Sequence, residues 1–209
     1  MDFDIANQHA QTGHKHRRRG NFVEAGEYYT ATGHQYFSEW AEDPHGKKIS
    51  QGEYFFLLAG TCYRLGGQPD RAVARCEQGI LIAEELLDRT KDFDGSTAYD
   101  TARYGAWYEY IGDFRLVGGS DGAMEAYEQA KQVYLDEDDP PLAHREQEHM
   151  WLTEFWKQVA CSVGYDADEW QKFVREATLS EWVEFKQNRL PDALDTLTSE
   201  SEWSMLGEK

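Results

Sequence analysis

Large apolar residues recur along the sequence at spacings of three, four and seven, and no stretch alternates apolar with polar over a strand's length. The period is that of amphipathic helices throughout. The clearest passage is Ala59–Ile80, AGTCYRLGGQPDRAVARCEQGI. It reads as the end of one helix, a tight turn and a second helix folding back. Gly66-Gly67 ends the first helix, because glycine tolerates the left-handed conformation cheaply. Pro69 opens the second, where its missing N–H is no loss, and Asp70 suits the positive helix end. Gly60 and Ala72 let the two helices approach, with Phe56 and Tyr63 filling the space around them.

The same unit is expected on both sides. A helix over 6–20, with Ile5, His9, Thr12, Gly13 and His16 inward, breaks at Gly20-Asn21. A second helix carries Phe22, Ala25, Tyr28, Tyr29, Thr32, Tyr36 and Phe37 towards Ala41, and 43–46 stops it. The next pair begins near Ser50, an N-cap with Glu53 at capping-box spacing, turns at 66–69, and fades at 92–95. A third starts at Ser96 or Thr97, carries Trp107, Tyr110, Ile111 and Phe114, turns at Gly118-Gly119 with Ser120 as N-cap, and continues through Ala123, Tyr127, Ala130 and Tyr134. Asp136–Pro141 breaks the pattern with like charges and two prolines. Beyond it one long helix is expected over 142–160, a shorter one over 166–177, then a small hairpin of helices, 179–187 and 191–197, and a frayed end over 199–209. RLPDALDTL there echoes GQPDRAVARC. The fold class is all-α, with repeats over 1–139 and a helical extension or cap over 140–209.

Composition narrows the function. The 209 residues carry a net charge of −18, nearly all of it after residue 80. That excess disfavours nucleic acid and anionic membranes as partners. With 9 Lys against 39 acids, the surface resembles that of proteins from salt-loving microbes such as halophilic archaea, where salt screens self-repulsion. No apolar run approaches the roughly 18 residues of a membrane span. MDFDIANQHA has acids where a signal peptide needs positive charge. Three cysteines without C-x-x-C spacing read as buried thiols of a cytoplasmic protein.

Fixed-spacing self-similarity is the most specific signal. Phe56-x2-Ala59-Gly60-x2-Tyr63 with Ala72-x3-Cys76 is matched by Trp107-x2-Tyr110 with Ala123-x3-Tyr127-x2-Ala130, and by Thr12-Gly13-x2-His16 with Ala25-x3-Tyr29-x2-Thr32. This resembles the tetratricopeptide repeat (TPR), in which each helix pair has an apolar face that only a neighbour can cover. The intervals Ala25 to Ala72 and Ala72 to Ala123 are 47 and 51 residues, against about 34 in the standard motif. The protein therefore looks more like the long-helix variants of SNAP-type adaptors. A plain helical bundle is the competing reading.

The resemblance implies a right-handed stack of antiparallel pairs that binds a partner protein along a concave groove lined by the first helix of each pair. Counting back eight from the second-helix alanines gives Arg17, Arg64 and Arg115. Three residues earlier stand His14, Thr61 and Gly112, and four before those Ala10, Leu57 and Tyr108. Arginine's planar fork suits carboxylates, so a ladder that receives an acidic segment or a polypeptide C-terminus is expected. Tyr54 and Tyr108 would be its aromatic anchors. The competing reading pairs each arginine with a neighbouring acid. The expected function is thus a non-catalytic adaptor or scaffold with no cofactor; a small-ligand sensor or an enzyme on a helical scaffold are the alternatives. His9, His14, His16, His144 and His149 lack metal-ligand spacing, and no catalytic signature is found. Most tryptophans, Trp40 included, read as core. Trp182 and Trp203, in the poorly patterned tail, would mark a contact surface if exposed.

Overall fold

A computed structural model of the protein describes residues 3–38, 47–90, 98–136, 138–142, 150–200 and 203. Among them stand nine helices and no strand; the sole bridge joins Pro141 to Thr178. The helices are α1 (Phe3–Arg18), α2 (Phe22–Phe37), α3 (Lys47–Leu65), α4 (Pro69–Thr90), α5 (Ala98–Gly118), α6 (Ala123–Leu135), α7 (Met150–Ser162), α8 (Ala167–Glu176) and α9 (Leu179–Glu200). Each of α1 to α5 packs on the next, α9 follows against α6, and α7 lies against α3 and α9. No helix among the described residues is long and apolar enough to cross a membrane. Trp40, His144, His149, the breaks at 43–46 and 92–95, and the caps at 96–97 lie outside the described residues.

Three turns have the same hydrogen bonds. Asn21, Gln68 and Ser120 donate their N–H to the carbonyls of His16, Tyr63 and Arg115, while Gly20, Gly67 and Gly119 donate to those of Arg17, Arg64 and Leu116. This is the double closure of a Schellman cap. It places the glycine at φ +74, +68 and +72, a region costly for any residue with a Cβ. These glycines set the register of the first helices independently of the alanines. Gly13, Gly60 and Gly112 each lie seven residues before their turn glycine.

Close approach is achieved in the same way in five places: a side group of one helix sits where a glycine of the preceding helix has no Cβ. Tyr29 enters at Gly13, Cys76 at Gly60 and Tyr127 at Gly112, within a pair; Tyr63 enters at Gly26 and Phe114 at Gly79, between pairs. A Cβ at Gly79 would meet the Phe114 ring at 2.2 Å. Tyr29, Cys76 and Tyr127 each lie four residues past Ala25, Ala72 and Ala123, so the alanine alignment holds for the second helices.

Several expectations are corrected. Ser50 is no N-cap: α3 starts at Lys47, and Ser50 is buried inside it. Ser120 closes the α5 turn, and Gly122 is the N-cap of α6. The inward stripe of α1 is Ala6, Ala10, Gly13 and Arg17, whereas Ile5 is exposed. The hairpin expected over 179–197 is one helix with Pro191 inside it. Proline costs a helix one hydrogen bond, but Leu190, Ala193, Leu194 and Leu197 are buried on one side and hold it together. Its start is fixed by a capping box, with Thr178 N–H donating to Glu181 Oε2 at 2.8 Å and Glu181 N–H to Thr178 Oγ1 at 3.3 Å. Asp139, at φ 45, reaches across to accept from the Ser180 N–H and hydroxyl. Trp182 and Trp203 are buried, not exposed.

Candidate functional site

The turn glycines identify which residues of α1, α3 and α5 are equivalent. Ten residues before the turn stand Ala10, Leu57 and Glu109; six before, His14, Thr61 and Asp113; three before, Arg17, Arg64 and Leu116. Spacings of three and four put these on one face of each helix. Arg115 is one residue out of step with Arg17 and Arg64, about 100° round its helix. The three arginines therefore do not hold equivalent positions. The alanine count misses this because the α5–α6 turn, from Gly119 to Ala123, is one residue shorter than the other two.

Each predicted residue has a definite setting. Arg17 is 1 % exposed; its Nη1 donates to Gln158 Oε1 of α7 at 2.9 Å, and its guanidinium lies 4.4 Å from the centre of the Trp203 ring. Gln158 in turn donates to the Tyr54 hydroxyl at 2.8 Å, so α7 links two predicted residues. Burial pushes the Tyr54 hydroxyl up to about 12. Arg64 Nη1 donates to the carbonyls of Leu116 and Val117, both at 3.2 Å. These belong to the last turn of α5, where carbonyls lack helix partners and a cation suits the dipole. Arg64 Nη2 also lies 3.7 Å from Asp195 of α9. Arg115 Nη1 donates to the Gly122 carbonyl at 2.9 Å and belongs to its own turn. His14 Nδ1 is 2.7 Å from the Tyr29 hydroxyl; burial, then Arg17 and Arg18, lower its pKa to about 4. Thr61 donates to its own helix at Leu57. Tyr108 stands beside Tyr104, hydroxyls 3.4 Å apart.

On the third pair the same face holds a buried charge cluster. Lys186 of α9 places Nζ 3.0 Å from Glu109 Oε2 and 2.8 Å from Asp113 Oδ2, with all three residues fully buried. Tyr127 donates to Asp113 at 2.6 Å, Tyr134 to Glu109 at 2.5 Å, and Trp182 Nε1 to Glu109 at 2.8 Å. Every carboxylate oxygen is thus satisfied. Burial outweighs Lys186 and raises the Asp113 pKa to about 6. Burial also drives the Tyr127 hydroxyl far above its ordinary range.

Glu53 is the opposite case. It is fully buried in α3, neither carboxyl oxygen has a hydrogen-bond partner among the described residues, and desolvation raises its pKa well above normal. Burial without a compensating charge disfavours its ionised form. Burial raises the thiols of Cys62 and Cys76 as well, so neither is a reactive thiolate.

Sequence reasoning missed Glu109, Asp113, Lys186 and Gln158. Two acids four apart inside WYEYIGDF were a visible signal, hidden among 39 acids. Together Lys186, Asp195 and Trp203 meet the third, second and first pairs in order. The 186-to-195 spacing covers about 14 Å of helix. No family model, curated protein or solved structure matches this sequence.

Proposed function

We propose that the protein is a non-catalytic adaptor, a TPR-like stack that holds a helix of a partner protein on the face made by α1, α3 and α5. One observation carries this reading. That face already accepts a helix: α9 lies on it with Lys186 on Glu109 and Asp113 and Asp195 on Arg64, Trp203 beyond the helix lies on Arg17, and α7 shares the α1–α3 part through Gln158. A surface that matches charges along a helix and a ring past its end is suited to selecting such a segment. Arg64 remains the carboxylate-reading position and Arg17 the ring-reading position in this proposal; Arg115 serves its own turn.

The buried cluster supports a structural role over catalysis. Its acids, its lysine and its tyrosines satisfy one another, leaving no acceptor turned towards a substrate. The test is capture from native extract at the cell's own ionic strength, followed by affinity measurements on the captured protein. Arg64→Ala is expected to weaken binding about tenfold or more, while Glu84→Ala, on the exposed side of α4, leaves it unchanged. Thermal melts confirm that both variants fold. Equal affinity of the two overturns the reading.

A further inference from the structure

The two halves of α9 are held very differently, and Pro191 lies between them. Before it, Trp182 and Lys186 are tied into the buried charge cluster. After it, α9 meets the first-helix face through Asp195, 3.7 Å from Arg64 and with its side group 78 % exposed. An ion pair so open contributes little. Arg64 keeps its two carbonyl partners with or without Asp195. Pro191 has no N–H to donate back along the helix, so the link between the halves is locally weak. What holds the second half is Leu194 and Leu197, both buried, and the Trp203 ring over Arg17.

Resting on the adaptor reading, we propose that residues 192–200, together with the Trp203 ring, are a displaceable occupant of the α1–α3 part of the face. They pivot at Pro191 while residues 179–190 stay in place, and the partner segment replaces them. The chemistry of the vacated surface specifies that segment. It is an amphipathic helix with two apolar residues three apart, as Leu194 and Leu197 are. A carboxylate lies between them to meet Arg64 more closely than Asp195 does at 3.7 Å, which is where the partner gains over the resident segment, and an aromatic ring stands about eight residues beyond the carboxylate to lie on Arg17. The resident group on Arg17 is itself a ring, Trp203 at 4.4 Å, and Arg17 already has Gln158 as a polar partner, so a ring is favoured there over a second acid.

The protein's own segment is the probe. A fluorescent peptide of residues 190–205 is added to the full-length protein, and anisotropy reads its binding. The variant Asp195→Ala with Trp203→Ala is expected to bind it about tenfold more tightly than the unaltered protein does, because the resident segment competes less well. The same peptide carrying Trp203→Ala binds about tenfold more weakly. Pro191→Ala in the full-length protein stiffens the pivot and reduces peptide uptake below that of the unaltered protein. Equal uptake by all variants, or indifference to the ring in the peptide, overturns the proposal. Should the double variant fail to fold, hydrogen exchange on the unaltered protein decides. Amides of 192–200 are expected to exchange through an opening that leaves 180–190 protected, and exchange of both halves as one unit contradicts the pivot. No natural partner is needed. Failure here beside a partner captured through Arg64 removes the pivot alone; peptide uptake without such a partner removes the adaptor reading alone.

Discussion

Two of the charge contacts that α9 makes with the repeats differ sharply, one where Lys186 enters the third pair and one where Asp195 crosses Arg64 of the second. Both are contacts between opposite charges, and they teach different things. At Lys186 all three ionic groups are at 0 % exposure, and hydrogen bonds from two tyrosines and a tryptophan complete the acids. At Asp195 the arginine is bonded elsewhere and the acid is mostly in water. Removing one member of a buried set strands the others, whereas removing a surface partner leaves water to replace it. Geometry alone would rank the two as one kind of contact; desolvation separates them.

The largest expected effect comes from breaking the buried end. Lys186→Met leaves two acids without a cation and is expected to cost about 3–5 kcal/mol, read by urea unfolding at neutral pH. Next comes the titration of that end. The Asp113 pKa is raised to about 6, above its ordinary carboxyl value. The folded state therefore binds this proton more readily than the unfolded one. Its contribution is greatest below the unfolded pKa and is lost as pH rises through 6, by about 3 kcal/mol in all. Asp113→Asn should remove that component of the pH profile, whatever it does to absolute stability. Glu53 supplies the reference for an acid with no cation partner among the described residues. Its pKa is also raised, so it too penalises the fold as pH rises. Glu53→Met is expected to stabilise by about 1–3 kcal/mol at neutral pH, with the gain shrinking in acid, where only the unpaired neutral carboxyl is left to penalise the fold. Asp195→Ala, at the open end, should change stability by about 0–1 kcal/mol.

The helices and the repeat are legible in the sequence because both are local. Period, Gly-Gly turns and the Asp136–Pro141 break depend on nearby residues, and the glycine–aromatic contacts follow from them. Three things are not local. Pro191 reads as a helix stop because the apolar row Leu190–Leu194–Leu197, which holds the helix through it, gains its partners only in the fold. Arg115 reads as the third rung because the shortened α5–α6 turn moves the two helices of that pair out of step. Trp203 reads as tail because nothing near it in sequence shows that Arg17 lies beneath it. The candidate face is legible as three first helices. That the protein's own last helix covers it is not, since Lys186 and its acids are 77 and 73 residues apart.

The contrast between the two ends of α9 is tested most directly by a pair of double-mutant cycles at neutral pH. One combines Lys186→Met with Glu109→Gln, the other Arg64→Ala with Asp195→Ala. The account predicts a coupling of about 2 kcal/mol or more for the first and under about 0.5 kcal/mol for the second. Couplings of equal size would contradict it.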